Sequence, residues 1–180
     1  MADINQFQKE YVQYRSTFKE TSFDDNNEVY LCNDESQNVI NFDKILEKKY
    51  PDSNKRPKSF DALYIYNDLL FCVEFKNQKP SQIAKSKEDI QGKLLSGKSE
   101  LIKLCQELNI QISDYSFVYC VVYKKCTEPR DRYKCGIDKG KVLFGLEKYE
   151  EQGLVKKVYT QNVDFFTKEF KKHLKKELIC

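Results

Sequence analysis

The sequence predicts an α/β fold in which a central mixed sheet is flanked by helices. Three observations predict it. Apolar residues recur at helical spacing near the N-terminus and again across 81–108, two β-rich runs flank a turn signal at Asn67-Asp68, and the run 115–123 is apolar almost throughout. Helical spacing marks an amphipathic helix, while an uninterrupted β-branched and aromatic run marks a strand covered on both faces.

Taken in order, Phe7, Tyr11, Tyr14 and Phe18 fall at i, i+4, i+7 and i+11, which predicts one helix over about 3–20. Residues 28–31 form a short strand candidate. Ile40, Phe42, Ile45 and Leu46 predict a helix within 39–50 that Pro51 stops. The runs 60–66 and 69–77 then read as an antiparallel hairpin. Ile83, Ile90, Leu94, Leu101, Cys105 and Leu108 trace a helical stripe, which Gly92 and Gly97 are placed to bend or split. The buried strand 115–123 follows, then a charged loop over 124–141, short strand candidates at 142–144 and 154–159, and a basic helix at 163–178. At 180 residues the chain is expected to be a single domain, with its core over about 3–123 and a variable basic part over 124–180.

Composition narrows the function. The net charge is only +3, but residues 1–50 carry 6 basic against 10 acidic side chains and residues 121–180 carry 15 against 9. A basic C-terminal third suits a polyanionic partner, although Lys168, Lys171, Lys172, Lys175 and Lys176 also read as the solvated face of a terminal helix. The absence of a long apolar run argues against a membrane helix. Seven cysteines without a secretory signal or a C-x-x-C pair predict reduced thiols and a cytoplasmic location. Cys32, Cys72 and Cys120 read as small buried hydrophobes, and Cys126 and Cys135 lack the further ligands that a zinc site requires. His173 is the only histidine, which excludes paired-histidine acid–base catalysis, histidine–metal nucleases and the usual serine or cysteine triads.

The chemistry concentrates in the hairpin. Phe60-Asp61 lies on its first arm and Val73-Glu74-Phe75-Lys76 on its second. Strand alternation points Glu74 and Lys76 to one face and Phe71, Val73 and Phe75 to the other. Leu70 and Cys72 share the face of Glu74, so the charges appear only where the strand leaves the core, unlike a cross-strand ion pair on a fully solvated face. Two carboxylates can hold a hard cation, which neutralises phosphate charge and activates water. Asp61, Glu74 and the backbone carbonyl of Phe75 would hold Mg²⁺, with Mn²⁺ as a substitute, and Lys76 would orient or help deprotonate the attacking water and stabilise developing charge.

This pattern resembles the PD-(D/E)XK nuclease superfamily, and residues 55–79 look particularly like archaeal Holliday-junction resolvases and Mrr-like restriction enzymes. Phe60 stands where the family's name has Pro, a position that carries no chemistry. The resemblance implies a restriction-endonuclease-like core of helix, three strands, helix and strand. It also implies a metal-dependent endonuclease acting on DNA, in restriction, junction processing or defence, with a homodimer as a common arrangement. Members often add a Glu from the first helix. Glu10, Glu20 and Glu28 are the candidates here, and Glu10 is favoured because it flanks the apolar stripe between Phe7 and Tyr14. Lys55, Arg56, Lys58, Gln78, Lys79, Gln91, Arg130 and Arg132 are the residues expected to touch nucleic acid.

Two other readings compete. One is a binding or regulatory module that keeps the fold and cuts nothing. The other is a nucleotide-binding protein, because Gly92, Gly97, Lys98 and Ser99 match the P-loop pattern. A P-loop follows an apolar strand, however, and the preceding residues 85–91 are polar with helical spacing.

Overall fold

The computed structural model describes residues 3–78, 84–125, 144–175 and 178–180. Among the described residues six strands form one sheet: β1 (Arg15–Ser16), β4 (Val39–Asn41), β5 (Ala62–Tyr66), β6 (Leu69–Lys76), β7 (Ser116–Tyr123) and β8 (Lys157–Asn162), in the order β1-β4-β5-β6-β7-β8. The pairings up to β6 are antiparallel, while β6/β7 and β7/β8 are parallel, so the sheet is mixed. Between the first two of these strands in the chain, β2 (Phe23–Asp24) and β3 (Val29–Tyr30) make a separate two-stranded hairpin.

The expected hairpin is present. Its register runs from Ala62↔Val73 to Tyr66↔Leu69, and Asn67 takes the positive φ that such a tight turn needs. The chain then crosses through helix α4 (Lys87–Glu107) to β7, a parallel connection that requires a crossover of this length. That helix is continuous. Gly97 does not split it and admits a close neighbour, since a Cβ there would lie 2.8 Å from the buried ring of Phe60. The P-loop match falls wholly inside this helix, so no phosphate-cradling loop forms; Lys98 instead donates to the Leu154 carbonyl and lies over the Phe117 ring.

Alternation along β6 sorts the core into two layers. Leu70 and Cys72 pack with Phe7, Leu46, Phe60 and Leu94 under helices α1 (Ile4–Glu10), α3 (Phe42–Lys49) and α4. On the other face Phe71 and Val73 pack with Phe18, Tyr64, Phe166 and Phe170, from helices α2 (Phe18–Thr21) and α6 (Val163–Leu174) and strand β5. The ring of Phe18 meets those of Phe166 and Phe170 edge-on at 5.6 Å, a favourable aromatic geometry. A short helix, α5 (Glu147–Glu151), precedes β8.

Several expectations need correction. The first helix does not run over 3–20. It ends at Glu10, a 3-10 turn follows at Val12–Tyr14, Arg15–Ser16 pairs with β4, and Thr17 starts α2 by capping the Glu20 amide. Sheet pairing at residues 15 and 16 has overridden the helical period. The 39–50 segment begins as β4 before its helix, the strand expected at 154–159 lies at Lys157–Asn162, and the last helix ends at Leu174. Of the candidate strand 142–144, only Phe144 is described, and it lies in a turn. Cys32 is not a free thiol, because it forms a disulfide with Cys180 across 148 residues. Cys72, Cys105 and Cys120 are free and buried, and burial raises the thiol pKa of each, to about 12 for Cys105 and Cys120. Cys126 and Cys135 lie outside the described residues. Among the described residues no helix is long and apolar enough to cross a membrane.

Candidate active site

The antiparallel ladder of β5 and β6 determines the site. Its last pair is Ala62↔Val73, so the next position in register sets Asp61 opposite Glu74, where the backbone of Asp61 turns away to accept from the Phe42 amide. The Phe75 amide would otherwise lack a partner on that flank. The Asp61 carboxylate takes its place, with Oδ2 accepting from Phe75 N at 2.6 Å. Because a strand residue's N–H and C=O leave on the same flank, the Phe75 carbonyl faces the side of Asp61 too.

Glu74 is fully buried. A buried carboxylate is expensive unless it is paired and hydrogen-bonded, and here two lysines pair it. Lys93 of α4 brings its Nζ to 2.8 and 2.9 Å from the two Glu74 oxygens and to 3.6 Å from Asp61 Oδ1. Lys76 lies 2.9 Å from Glu74 Oε1 and 3.4 Å from Asp89 in the first turn of α4, and Asp89 is also paired with Lys58 at 2.7 Å. Asp43, in the first turn of α3, accepts a hydrogen bond from Ser59.

The cluster is electrostatically tight. Burial, reinforced by the nearby Glu74 charge, pushes the Asp61 carboxyl well above its ordinary range, and Lys93 only partly offsets this. Burial likewise raises Asp43. For Lys93 and Lys76 burial acts in the opposite sense, favouring loss of the proton, but Glu74 prevails and holds both ammonium groups above the usual lysine value. Asp89 is lowered: burial opposes its charge, but Lys58 and Lys76 outweigh that cost.

Two hollows open beside Asp61. Thr21, Asp24, Asp25, Lys76, Asn77 and Gln78 line one, and Glu20, Asp25, Asn41, Asp43, Lys44 and Glu47 line the other. The β2–β3 hairpin overhangs them, tied down by Asn77 donating to Asp24 at 3.0 Å. The charged side chains on the walls are mainly acidic.

The structure brings Asp61, Glu74 and Lys76 together and does not bring Glu10 to them. Glu10 is exposed at the C-terminal end of α1, on the side of Tyr11 and Glu107, the latter at the far end of α4 from Lys93. Of the first-helix candidates it is Glu20 that borders the Asp61 hollow, held by Ser16 Oγ at 2.7 Å. Glu28 is in the β2–β3 hairpin at positive φ. Among the expected nucleic-acid contacts, Lys58 is paired with Asp89 and Gln78 lines a hollow, so both border the site. Lys55 is exposed beside Asp52, and Arg56 bonds the Tyr50 carbonyl and Glu47. Gln91 is engaged internally: it donates to the Phe144 carbonyl and accepts from Tyr149 and Lys148, which clamps the turn before α5. Lys79, Arg130 and Arg132 lie outside the described residues.

Sequence reasoning missed Lys93, Asp43 and Asp89. A lysine in a helix reads as solvated, yet Lys93 sits directly before Leu94 and four residues after Asp89, at the margin of the apolar stripe that faces the sheet. For Glu20 the signal was the Thr17-x-x-Glu20 spacing, a helix N-terminus in the middle of the supposed long helix.

Among the described residues no group of three His, Cys, Asp or Glu side chains is disposed to hold a metal ion. Two carboxylates nevertheless face one point, because the same ammonium nitrogen lies within 3.6 Å of both. A position that accepts a half-buried cation between two acids has the donor chemistry a hard divalent ion requires. Compared with protein-family models, with curated proteins and with solved structures, the chain gives no match.

Proposed function

We propose that the chain is a metal-dependent nuclease of the PD-(D/E)XK type that hydrolyses phosphodiester bonds in DNA. One observation carries the reading: Asp61, Glu74 and Lys76 meet where β6 leaves the core, with both carboxylates directed at a single cationic nitrogen. Buried charges gathered at a cleft cost stability, and functional sites are where such a cost is retained.

Asp61, Glu74 and the Phe75 carbonyl would hold Mg²⁺ or Mn²⁺, and Glu20 and Asp43, which line a hollow with Asp61, are further carboxylate candidates. The ion supplies charge neutralisation on the phosphate and a lowered pKa for bound water. Asp61 fixes the end of β6 through the Phe75 amide, so its carboxylate is held in place before substrate arrives. In the metal-free protein Glu74 favours the protonated form of Lys76, and an ammonium there is suited to orient water and stabilise developing negative charge. Lys58 lies beside this group and can release Asp89 to contact phosphate.

The ion pairs that already neutralise Glu74 favour a second reading, a binding module that cuts nothing. One assay separates them: linear, circular, single-stranded and branched DNA, and RNA, are each incubated with Mg²⁺, Mn²⁺ or chelator, with Glu74→Ala alongside. Metal-dependent products absent from the variant support the nuclease. Binding without cleavage supports the module, and equal cleavage by the variant removes the proposed mechanism.

A further inference from the structure

We propose that Lys93 is a resident counter-ion of the acid pair: in the metal-free protein its ammonium holds the place of the divalent cation, which displaces it toward the phosphate of the substrate. The inference rests on the nuclease reading above and adds to it a rule for how the site loads.

Three observations converge. The Lys93 nitrogen contacts both oxygens of Glu74 and approaches Asp61, so it occupies the space where the two carboxylates converge. It arrives from α4, whereas Glu74 belongs to the end of β6 and Asp61 directly precedes β5, so it can leave without moving them. Its side chain is 20% exposed, whereas Glu74 is fully buried, so the flexible stem has a way out toward solvent and the carboxylate has none.

The charge balance gives the exchange its consequence. A divalent ion replaces a monovalent ammonium, and the displaced ammonium stays tethered within reach, so the cluster gains positive charge. The neighbouring hollows are lined by Glu20, Asp24, Asp25, Asp43 and Glu47, which repel an approaching phosphate until that charge appears. Cation and phosphodiester should therefore assist each other's binding, and the linkage must be reciprocal. A permanent structural salt bridge predicts the opposite, because removing Lys93 would then disorder the acids and weaken metal binding.

The test is calorimetric titration of Mg²⁺ into the full chain and into Lys93→Met, with and without a phosphorothioate-linked dinucleotide that resists cleavage. The expected result is that Lys93→Met binds Mg²⁺ about tenfold tighter than the wild type when no dinucleotide is present. The dinucleotide should tighten Mg²⁺ binding in the wild type and much less in the variant. Equal or weaker binding by the variant overturns the proposal. Unfolding midpoints provide a second reading that tolerates a weakened variant. Lys93→Met should be less stable than the wild type in chelator, and the gap should narrow as Mg²⁺ saturates; a gap that Mg²⁺ leaves unchanged also overturns it. A wild type that shows the exchange but cuts no nucleic acid removes the nuclease reading alone. One that cuts, while the variant binds no tighter, removes the exchange alone. A wild type that binds no Mg²⁺ removes both.

Discussion

Replacing Glu74 by Gln keeps the shape of a fully buried side chain and deletes its charge, which tests the cluster directly. Lys93 and Lys76 contact that carboxylate at 2.8 and 2.9 Å, so both lose their nearest counter-charge. Breaking a buried pair by removing one partner costs about 3–5 kcal/mol. The full figure is not expected here. The lysine side chains are 20% and 18% exposed, Lys93 keeps Asp61 at 3.6 Å, and Lys76 keeps Asp89 at 3.4 Å. Loss of the Glu74 charge also removes one of the two main causes that raise Asp61, which eases ionisation there. A destabilisation of about 2–3 kcal/mol remains. Urea unfolding of the metal-free protein at neutral pH measures it, with an unchanged m-value showing that the native state is still compact. A loss below about 1 kcal/mol, the range of exposed pairs, would refute the claim that Glu74 is a buried hub.

Asp61→Asn should abolish metal-dependent cleavage while leaving stability near the wild-type value or above it at neutral pH. The raised Asp61 pKa means that its contribution to stability is present below the ordinary carboxylate value and lost as pH rises through the shifted one, so thermal melts compared across pH should show the variant gaining on the wild type toward neutrality. Glu100 has the opposite sign: burial opposes its charge, but Lys103 and Tyr50 hold its pKa below the usual value. Its stabilisation is present above the ordinary glutamate pKa and lost as pH falls through the lowered one, so Glu100→Gln should be destabilised at neutral pH and converge with the wild type in acid. Gly97→Ala should destabilise by about 1–2 kcal/mol in urea, because overpacking against Phe60 exceeds the gain in helix propensity. Reducing the Cys32–Cys180 disulfide should lower stability by about 2–5 kcal/mol, measured by unfolding with and without reductant, with Cys180→Ser reproducing the loss.

Much of the sheet was legible because its signals are local. The Asn67-Asp68 turn and the alternation of 69–76 give β5 and β6, and the apolar run at 116–123 gives a central strand with parallel neighbours on both sides. The placing of Asp61 near Glu74 follows from the same alternation and turn. What stayed hidden depends on contacts distant in sequence. Arg15–Ser16 pairs with β4 although the aromatic spacing continues through it, so the break between α1 and α2 could be seen only once the partner strand was placed. That break carries Glu20 toward Asp61 and leaves Glu10 behind. Lys93 was invisible for a related reason: its neighbours in the chain are helical, while the carboxylates that hold it are 19 and 32 positions upstream. The disulfide was masked likewise, since residues 32 and 180 share no local pattern.

The two-layer core written into β6 implies that the site is encoded by parity. Even-numbered residues from Leu70 to Lys76 face one layer and odd-numbered residues the other, with Glu74 among the former and Phe75 among the latter. Inserting or deleting one residue between Leu69 and Val73 would send the glutamate into the aromatic layer around Phe18 and Phe166 and turn phenylalanine rings toward Lys93. Point substitutions in this strand can be graded by size and charge, but a single-residue change in its length would exchange the two layers at once.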